Sequence, residues 1–382
     1  MIPLAIPNLS GNESRYLQEC VDTNFVSSVG PFVDRFEEAV AGAAGVPFAV
    51  ATSAGTTGLH AALTAVGVSR DDLVLLPSMT FIASANAIAH CGAMPWLVDI
   101  DRESWTLDVA QCSRLLRSEA VKRGGQVIHS GSGQRVAAIM PVCTLGTPYD
   151  ADALALLSQE WELPVVADAA PALGASYRGR PMGRLAADLT VFSFNGNKTV
   201  TAGGGGAVVG DDAALCELVR HLTTTARKGQ EEYTHDRVGF NYRMTNLQAA
   251  VGCAQLERLD EFVNAKRRIA ARYTQELTPL AGLEPFANPA WAEGACWFSG
   301  VRTTRVPQEE VVRALQERGG GARPFWKPIH QQAPFADALL SDVPETEALC
   351  PTILTLPCST ALSFEEQSQV IDAVADCISR LA

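Results

Sequence analysis

Residues 189–210 read LTVFSFNGNKTVTAGGGGAVVG, which is two apolar segments separated by a polar loop. The β-branched and aromatic residues of 189–194 and 207–210 predict two buried strands. Lys198 in the loop is the only charged side chain of the whole stretch. Apolar surroundings disfavour an ammonium ion, so they lower the pKa of a lysine and leave a neutral amine that can attack a carbonyl carbon. A surface lysine in a turn between strands is the alternative interpretation of this loop.

Further short apolar segments alternate with helical patterns through the first two-thirds of the chain. Additional strands are predicted at 48–52, 73–76, 95–99, 136–142 and 164–168. Helices predicted at 55–66 and 151–161 each place apolar residues on one face. This alternation favours an α/β fold with a mixed, mostly parallel sheet covered by helices. The glycine-rich residues 124–133 predict a surface loop or hairpin.

The pattern changes after residue 244. Thr245 is the predicted N-cap of a long helix that ends near Leu277. The elements predicted beyond it are strands at 297–301 and 353–356 and amphipathic helices at 308–318 and 365–381. We therefore expect a large domain over residues 1–245 and a smaller α+β domain over residues 246–382.

Composition and charge exclude several classes of protein. With 382 residues, 47% hydrophobic and 19% charged, the chain suits a two-domain enzyme and is unlike a disordered protein. Its net charge of −12 repels nucleic acid, so a phosphorylated ligand must be small. The ten cysteines show no C-x-x-C pair and no metal-ligand spacing, so we expect reduced thiols, no metal and a cytoplasmic location. Residues 73–98 carry no charge, but prolines and polar residues interrupt them, so no membrane span is expected.

Two further motifs lie next to predicted strands. Asp168 ends the strand at 164–168, at the edge where parallel α/β sheets bind ligands. Residues 53–57 (SAGTT) join a strand to a helix and offer backbone amides and hydroxyls at a helix N-terminus, which suits one phosphate group. A Schiff-base lysine and an aspartate that keeps a pyridine nitrogen protonated are the pair that pyridoxal phosphate requires. Ordinary helix capping is the alternative for each motif taken alone.

Together these motifs resemble those of the DegT/DnrJ/StrS family, which are pyridoxal-phosphate-dependent sugar-nucleotide aminotransferases with the aspartate aminotransferase (type I) fold. The stretches that carry the resemblance are 29–33, 53–59, 77–81, 168–170, 193–198 and 239–244. The resemblance implies that Lys198 forms the Schiff base, that Asp168 faces the ring nitrogen and that Phe81 stacks on the ring. It places the remaining cofactor contacts on Gly55, Thr56, Ser193, Asn195 and Asn241. It also implies a pyridoxamine phosphate intermediate and L-glutamate as the amino donor.

The same resemblance implies an assembly and a substrate. Asn241 would reach the phosphate of the neighbouring subunit, so we expect a homodimer with the active site at its interface. A finer resemblance is to the branch that forms bacillosamine- or legionaminic-type sugars, which implies conversion of UDP-4-keto-6-deoxy-GlcNAc to UDP-4-amino-4,6-dideoxy-GlcNAc. The residues expected around this sugar nucleotide are Phe25, Val26, Ser27, Ser28, Arg323, Trp326, Lys327 and His330. A core role for Trp326 and a solvated surface for the two basic residues are the alternatives.

Two positions depart from the family pattern, and several alternatives stay open. Pro171 stands where many relatives carry a polar residue near the ring hydroxyl, and Cys143 stands where many carry histidine. Other substrates are a 3-keto sugar or a GDP- or dTDP-linked sugar. Sugar 3-dehydratases resemble this chain except that histidine replaces the lysine, so Lys198 favours transamination. A non-catalytic regulator that keeps the fold is a further alternative. For His235 we expect a structural or substrate-side role.

Overall fold

The computed structural model describes residues 2–229 and 233–381. The helices of this described part are α1 (Glu13–Asp22), α2 (Pro31–Ala44), α3 (Gly55–Ala65), α4 (Ile82–His90), α5 (Val109–Glu119), α6 (Ala151–Trp161), α7 (Ala213–Thr223), α8 (Asn246–Leu256), α9 (Leu259–Leu277), α10 (Gln308–Glu317), α11 (Pro344–Leu349) and α12 (Phe364–Leu381). The strands are β1 (Phe48–Thr52), β2 (Leu73–Pro77), β3 (Met94–Val98), β4 (Ala120–Arg123), β5 (Gln126–His129), β6 (Arg135–Ile139), β7 (Val166–Asp168), β8 (Ser176–Tyr177), β9 (Arg180–Pro181), β10 (Leu189–Ser193), β11 (Gly206–Gly210), β12 (Arg227–Lys228), β13 (Thr234–His235), β14 (Leu283–Pro285), β15 (Ala292–Glu293), β16 (Ser299–Thr303), β17 (Arg323–Pro324), β18 (Leu339–Leu340) and β19 (Ile353–Leu356).

The central sheet runs in the order β3-β2-β6-β7-β10-β11-β1. Strand β2 pairs in parallel with β3 and β6, and β7 pairs in parallel with β10. Two parallel bridges, Ile139 with Val165 and Val142 with Asp168, join β6 to β7. Strand β11 is antiparallel to both β10 and β1. The mixed, mostly parallel sheet expected from the sequence is therefore confirmed.

Helices cover both faces of this sheet, as the alternating pattern predicts. One apolar core includes Phe32 and Phe36 of α2, and a second on the opposite face includes Leu59 and Leu63 of α3. All five residues of β2 are buried, which fits a strand covered on both faces. Residues 73–98 form β2, α4 and β3 in succession, and no helix of the described residues has the length and apolar character to cross a membrane.

Aspartate side chains cap helices that follow sheet strands. Asp108 accepts a hydrogen bond from the Gln111 amide at the start of α5, and Asp150 accepts one from Ala153 at the start of α6. Asp212 accepts bonds from two amides of the first turn of α7. Because the first amides of a helix lack partners within the helix, these short side chains fix where each helix begins.

The helix expected to begin after Thr245 and end near Leu277 is two helices. Thr245 does cap α8, since its hydroxyl accepts a hydrogen bond from the Gln248 amide. The chain turns at Glu257 between α8 and α9, where the Glu257 carboxylate accepts hydrogen bonds from the Tyr16 hydroxyl and the Asn12 amide group. These partners lie some 240 residues earlier in the sequence, so no local pattern signals the break.

The C-terminal part has a core of its own. Its antiparallel sheet runs β14-β16-β19-β17, and α9, α10 and α12 pack against it through residues such as Tyr273, Leu315 and Val374. Helix α8 instead packs on α1 and α2. The domain boundary at residues 245 and 246 stays a prediction. The glycine-rich residues 124–133 contain the turn of a hairpin formed by β4 and β5.

Gly300→Ala should destabilise the C-terminal sheet. A Cβ atom at Gly300 would lie 1.9 Å from the Leu354 carbonyl oxygen, so the β16–β19 pair must move apart. We expect a loss of about 3 kcal/mol, measured as a lower Tm. Gly42→Ala is the matched control, since a Cβ there meets no atom within 4 Å and alanine favours helix. A Tm for Gly300→Ala equal to that of Gly42→Ala would contradict the prediction.

Candidate active site

A cavity of about 560 Å³ opens at the carboxyl ends of β7 and β10. The large sheet and the C-terminal part both contribute to its walls. The residues singled out from the sequence that line it are Gly55, Thr56, Phe81, Asp168, Ser193, Asn195, Lys198, Arg323 and Trp326. The structure therefore brings the lysine, the aspartate and the helix N-terminus into one site, across more than 140 residues of sequence.

Asp168 is a buried and firmly oriented carboxylate. Its side chain accepts a hydrogen bond of 2.7 Å from the Ser84 hydroxyl and one of 3.0 Å from the Ala170 amide. The Thr80 hydroxyl lies 2.8 Å from that of Ser84 and continues the network. Burial raises the pKa of Asp168, while the two hydrogen bonds and the positive charge of Lys198 oppose the rise. A carboxylate held in this way can stabilise a protonated ring nitrogen that faces it.

Lys198 lies in the loop that follows β10. Its backbone amide donates a 2.9 Å hydrogen bond to the Asn195 carbonyl, and its Nζ lies 3.6 Å from the centre of the Trp297 ring. Burial lowers the pKa of Lys198 from 10.5 to about 8, and the negative charge of Asp168 opposes that fall. A useful fraction of the side chain is therefore a neutral, nucleophilic amine near neutral pH.

Residues 53–57, expected from the sequence to bind a phosphate, lie at the N-terminus of α3, where 53–56 line the cavity, and their role as an anion site stays a prediction. Gly55 and Thr56 lie in the first turn, where backbone amides have no partner within the helix. A Cβ atom at Gly55 would lie 2.9 Å from the Cβ of Ser193, so glycine is needed for Ser193 to approach this turn. The Thr57 hydroxyl accepts a hydrogen bond from the Ala54 amide and fixes the turn. The backbone amides of Gly55 and Thr56 and the hydroxyl of Ser193 are thus available to a phosphate group.

The side chains of the cavity fit pyridoxal phosphate, which combines an aldehyde, a pyridine ring and a phosphate. Phe81 lines the cavity and is 53% exposed, as a residue whose ring stacks on a planar ligand would need to be. The buried Thr144 hydroxyl, which also belongs to the lining, has no hydrogen-bond partner among residues 2–229 and 233–381. An oriented polar atom without a partner favours a polar ligand in this cavity.

This fold and this set of donors define a pyridoxal-phosphate-dependent aminotransferase of the aspartate aminotransferase type. The chain belongs to the DegT/DnrJ/EryC1/StrS aminotransferase family, whose model matches residues 7–375. The expectations of fold, enzyme class and cofactor are confirmed.

Similar proteins include two GDP-perosamine synthases and one solved aminotransferase. The chain is 38% identical over 380 residues to GDP-perosamine synthase of Caulobacter vibrioides, covering 98% of this chain and 97% of that protein. It is 33% identical over 379 residues to GDP-perosamine synthase of Escherichia coli O157:H7, covering 99% of each. The crystal structure of aminotransferase TlmJ from Streptoalloteichus hindustanus covers both chains completely, with a TM-score of 0.89 and 29% identity.

The segment with Asn241 runs past the anion site, but the Asn241 side chain is exposed and does not line the cavity. The Tyr242 carbonyl accepts a 2.7 Å hydrogen bond from the Ser53 amide. The loop with Phe25, Val26, Ser27 and Ser28 is also absent from the lining. It is held by Asn246, whose side chain donates to the Phe25 carbonyl and whose amide donates to that of Ser27. The roles of these five residues stay predictions.

Lys327, His330 and His235 are also outside the described lining of the cavity. Lys327 is exposed, while His330 lies 2.7 Å from the Ser78 hydroxyl through Nδ1 and 3.6 Å from Glu347 through Nε2. Burial lowers the pKa of His330, with the Glu347 carboxylate opposing. His235 is exposed on β13 with Nδ1 2.8 Å from the Thr225 carbonyl. His330 therefore ties the segment after Trp326 to Ser78, the residue that follows β2, and the substrate roles of Lys327 and His330 stay predictions.

Both departures from the family pattern line the cavity. Pro171 has no amide hydrogen to donate, and Cys143 is fully buried beneath the site. Burial raises the pKa of the Cys143 thiol, so the thiol stays protonated at neutral pH. Among the described residues, no group of three or more His, Cys, Asp or Glu side chains is arranged to hold a metal ion.

Ser84, Thr144 and Trp297 are site residues that the sequence did not identify. Ser84 lies in a helix without charged residues, and Trp297 reads only as the start of a strand. Their partners Asp168 and Lys198 are 84 and 99 residues away, so periodicity along the chain carries no signal for these contacts. Only the assembled fold shows them.

The rate of cofactor capture should follow the ionisation of Lys198. Because the neutral amine is the nucleophile and the pKa is about 8, we expect uptake of pyridoxal phosphate by cofactor-free protein to rise from pH 7 to pH 9. The rise should be about tenfold, since the neutral fraction increases by that factor. Stopped-flow absorbance measures it, with Nα-acetyl-lysine as the control for ionisation of the aldehyde itself. A midpoint near that of free lysine would contradict the prediction.

Proposed function

We propose that this protein transfers the amino group of L-glutamate to the C4 ketone of a GDP-linked 4-keto-6-deoxy sugar. The observation that carries the proposal is that Lys198 and Asp168 share one cavity in a chain that matches GDP-perosamine synthases over almost its full length. Those relatives are named for an amino sugar on GDP. They favour the GDP-linked alternative over the UDP-linked N-acetyl sugar of the finer sequence resemblance, which stays a prediction.

The catalytic side chains would divide the work as follows. Pyridoxal phosphate supplies the carbonyl carbon that receives the amino group and a ring that withdraws electrons from the carbon next to it. The Nζ of Lys198, with its lowered pKa, would accept the proton from the α-carbon of the donor and deliver a proton to the carbon atom of the cofactor that has received the nitrogen. Asp168 stabilises the positive charge on the ring nitrogen. In the sugar half-reaction Lys198 and Asp168 would have the same roles, and the proton transfers would run in the reverse order.

The wall opposite the cofactor residues suits a sugar nucleotide. Arg323 is exposed at the cavity and can bind a diphosphate in a bidentate manner. The Trp326 ring lies 5.7 Å from the Phe81 ring and offers an aromatic face next to the cofactor site. The −12 charge of the chain repels such an anion at long range, so local groups of this kind must supply the attraction.

We further place Asn241 and the loop of Phe25 in the active site of a second copy. These side chains are exposed and lie off the cavity of their own chain. The last turn of α1 and the segment after it carry exposed apolar side chains, which fit a subunit interface better than free solvent; they are Val21, Phe25, Val26 and Val29. The homodimer expected from the sequence is thus part of this proposal.

A half-reaction experiment tests the substrate. The holoenzyme is first treated with L-glutamate, the excess is removed, and GDP-4-keto-6-deoxymannose or UDP-4-keto-6-deoxy-GlcNAc is added. We expect the absorbance of the bound cofactor to return with the GDP sugar. Return with the UDP sugar alone would keep the aminotransferase and overturn the nucleotide assignment. Return with neither would overturn both the GDP-linked and the UDP-linked assignment.

Substitution of the two catalytic residues should separate chemistry from folding. Lys198→Ala should lower turnover by more than about 1,000-fold, because both the nucleophile and the proton carrier are lost. Asp168→Asn should lower it by about 100-fold or more, because the amide cannot stabilise the charge on the ring nitrogen. Lys122→Ala is the control, since Lys122 is paired with Glu162 on the surface. Activity of Lys198→Ala equal to the control would remove the assigned role.

A further inference from the structure

Trp297 makes three contacts that connect the C-terminal part to the lysine loop. The face of its indole ring lies 3.6 Å from Lys198 Nζ. Its indole N–H donates a 2.7 Å hydrogen bond to the Asn197 carbonyl, one residue before the lysine. Its own carbonyl accepts a 2.9 Å hydrogen bond from the ammonium of Lys266. The ring face, the indole N–H and the backbone carbonyl of Trp297 therefore each have a partner.

The ring has little freedom to move. Trp297 is only 4% exposed and stacks on Phe298 with ring centres 4.0 Å apart. Lys266 is 2% exposed and also donates a hydrogen bond to the Cys358 carbonyl, so it joins two backbone segments of the C-terminal core. A ring fixed from behind in this way presents one face to the cavity at a set distance from the lysine.

The contact with Lys198 is electrostatically favourable. An aromatic face carries partial negative charge and attracts an ammonium within about 6 Å of the ring centre, most strongly where water is excluded. Asp168 is the carboxylate that acts on Lys198 from the sheet side. The other titratable groups nearby are the Cys143 thiol beneath Asp168, Lys266 behind the indole and Arg323 on the cavity wall. The indole face and Asp168 are the two groups that favour the ammonium form of Lys198.

We propose that Trp297 is a positioning residue for Lys198, whose indole face holds the charged amine in the cavity while its N–H fixes the loop that carries the amine. The transfer needs Nζ to carry a proton through part of the cycle, and the ammonium must then remain in a site with little water. The indole face replaces part of the lost hydration. The Asn197 contact keeps the loop from drawing the side chain away.

The inference rests on Lys198 being the amine that takes the cofactor, and it is independent of which sugar is the substrate. Its test therefore measures Lys198 itself in the full chain with neither cofactor nor substrate bound. The chain has five lysines, so labelling with acetic anhydride followed by mass spectrometry of peptides resolves each of them. The pH dependence of the labelling rate gives the pKa of Lys198.

Trp297→Leu should lower the pKa of Lys198, because the ammonium loses the aromatic face and gains no hydration. The expected fall is about 0.5 to 1.5 pH units, from the usual strength of a cation–π contact. Trp297→Phe keeps a ring but loses the N–H, so it should give a smaller fall. Trp291→Leu is the matched control, a tryptophan that packs on Tyr177 away from the cavity.

A second readout on the holoenzyme separates positioning from general stability. We expect Trp297→Phe to lower kcat about tenfold with little change in the KM for glutamate, since donor binding does not involve the loop contact. Thermal unfolding of each variant identifies any that fail to fold. If Trp297→Leu does not fold, the pKa of Lys198 in Trp297→Phe provides the test. An unchanged or higher pKa of Lys198 in a folded Trp297 variant would overturn the proposal, even if activity falls.

Discussion

Parallel pairing of β7 with β6 and β10 is the constraint on which the site depends. Asp168 is the last residue of β7 and Ser193 the last of β10, so parallel strands bring both to the same edge of the sheet. The bridge between Val142 and Asp168 adds the end of the neighbouring β6 segment, with Cys143, to that edge. An antiparallel β7 would carry its carboxylate to the opposite end of the strand, away from Ser193 and the loop of Lys198.

The catalytic pair is held between two opposing electrostatic effects. Burial raises the pKa of Asp168 and lowers that of Lys198, which drives both groups toward their neutral forms. Their mutual attraction drives both back toward the charged forms. Ser84 and the Ala170 amide fix the carboxylate in place during this competition. A pKa of about 8 leaves part of Lys198 neutral and part charged, which suits a reaction in which this side chain moves protons near neutral pH.

Local sequence predicted the parts of the fold that repeat and the residues that stand out chemically. The sequence predicts Lys198 as a functional residue because no other charge lies near it, and Asp168 because it ends an apolar strand. The break between α8 and α9 was not visible, since Glu257 is held by Tyr16 from the far end of the chain. The sequence predicts Trp297 only as a strand residue, because its contact with Lys198 forms only when the C-terminal core packs on the sheet. Long-range contacts leave no period in the sequence, which is why these features required the structure.

The two walls of the cavity come from different parts of the chain. The cofactor side is built from the large sheet, through Gly55, Asp168 and Lys198, whereas Arg323 and Trp326 come from the C-terminal core. Mutations at Arg323 and Trp326 can change the shape offered to a sugar nucleotide while Trp297, Asp168 and Lys198, which set the protonation balance, stay in place. Such a protein can acquire new substrates through gradual drift in the C-terminal part of its chain while its chemistry stays the same.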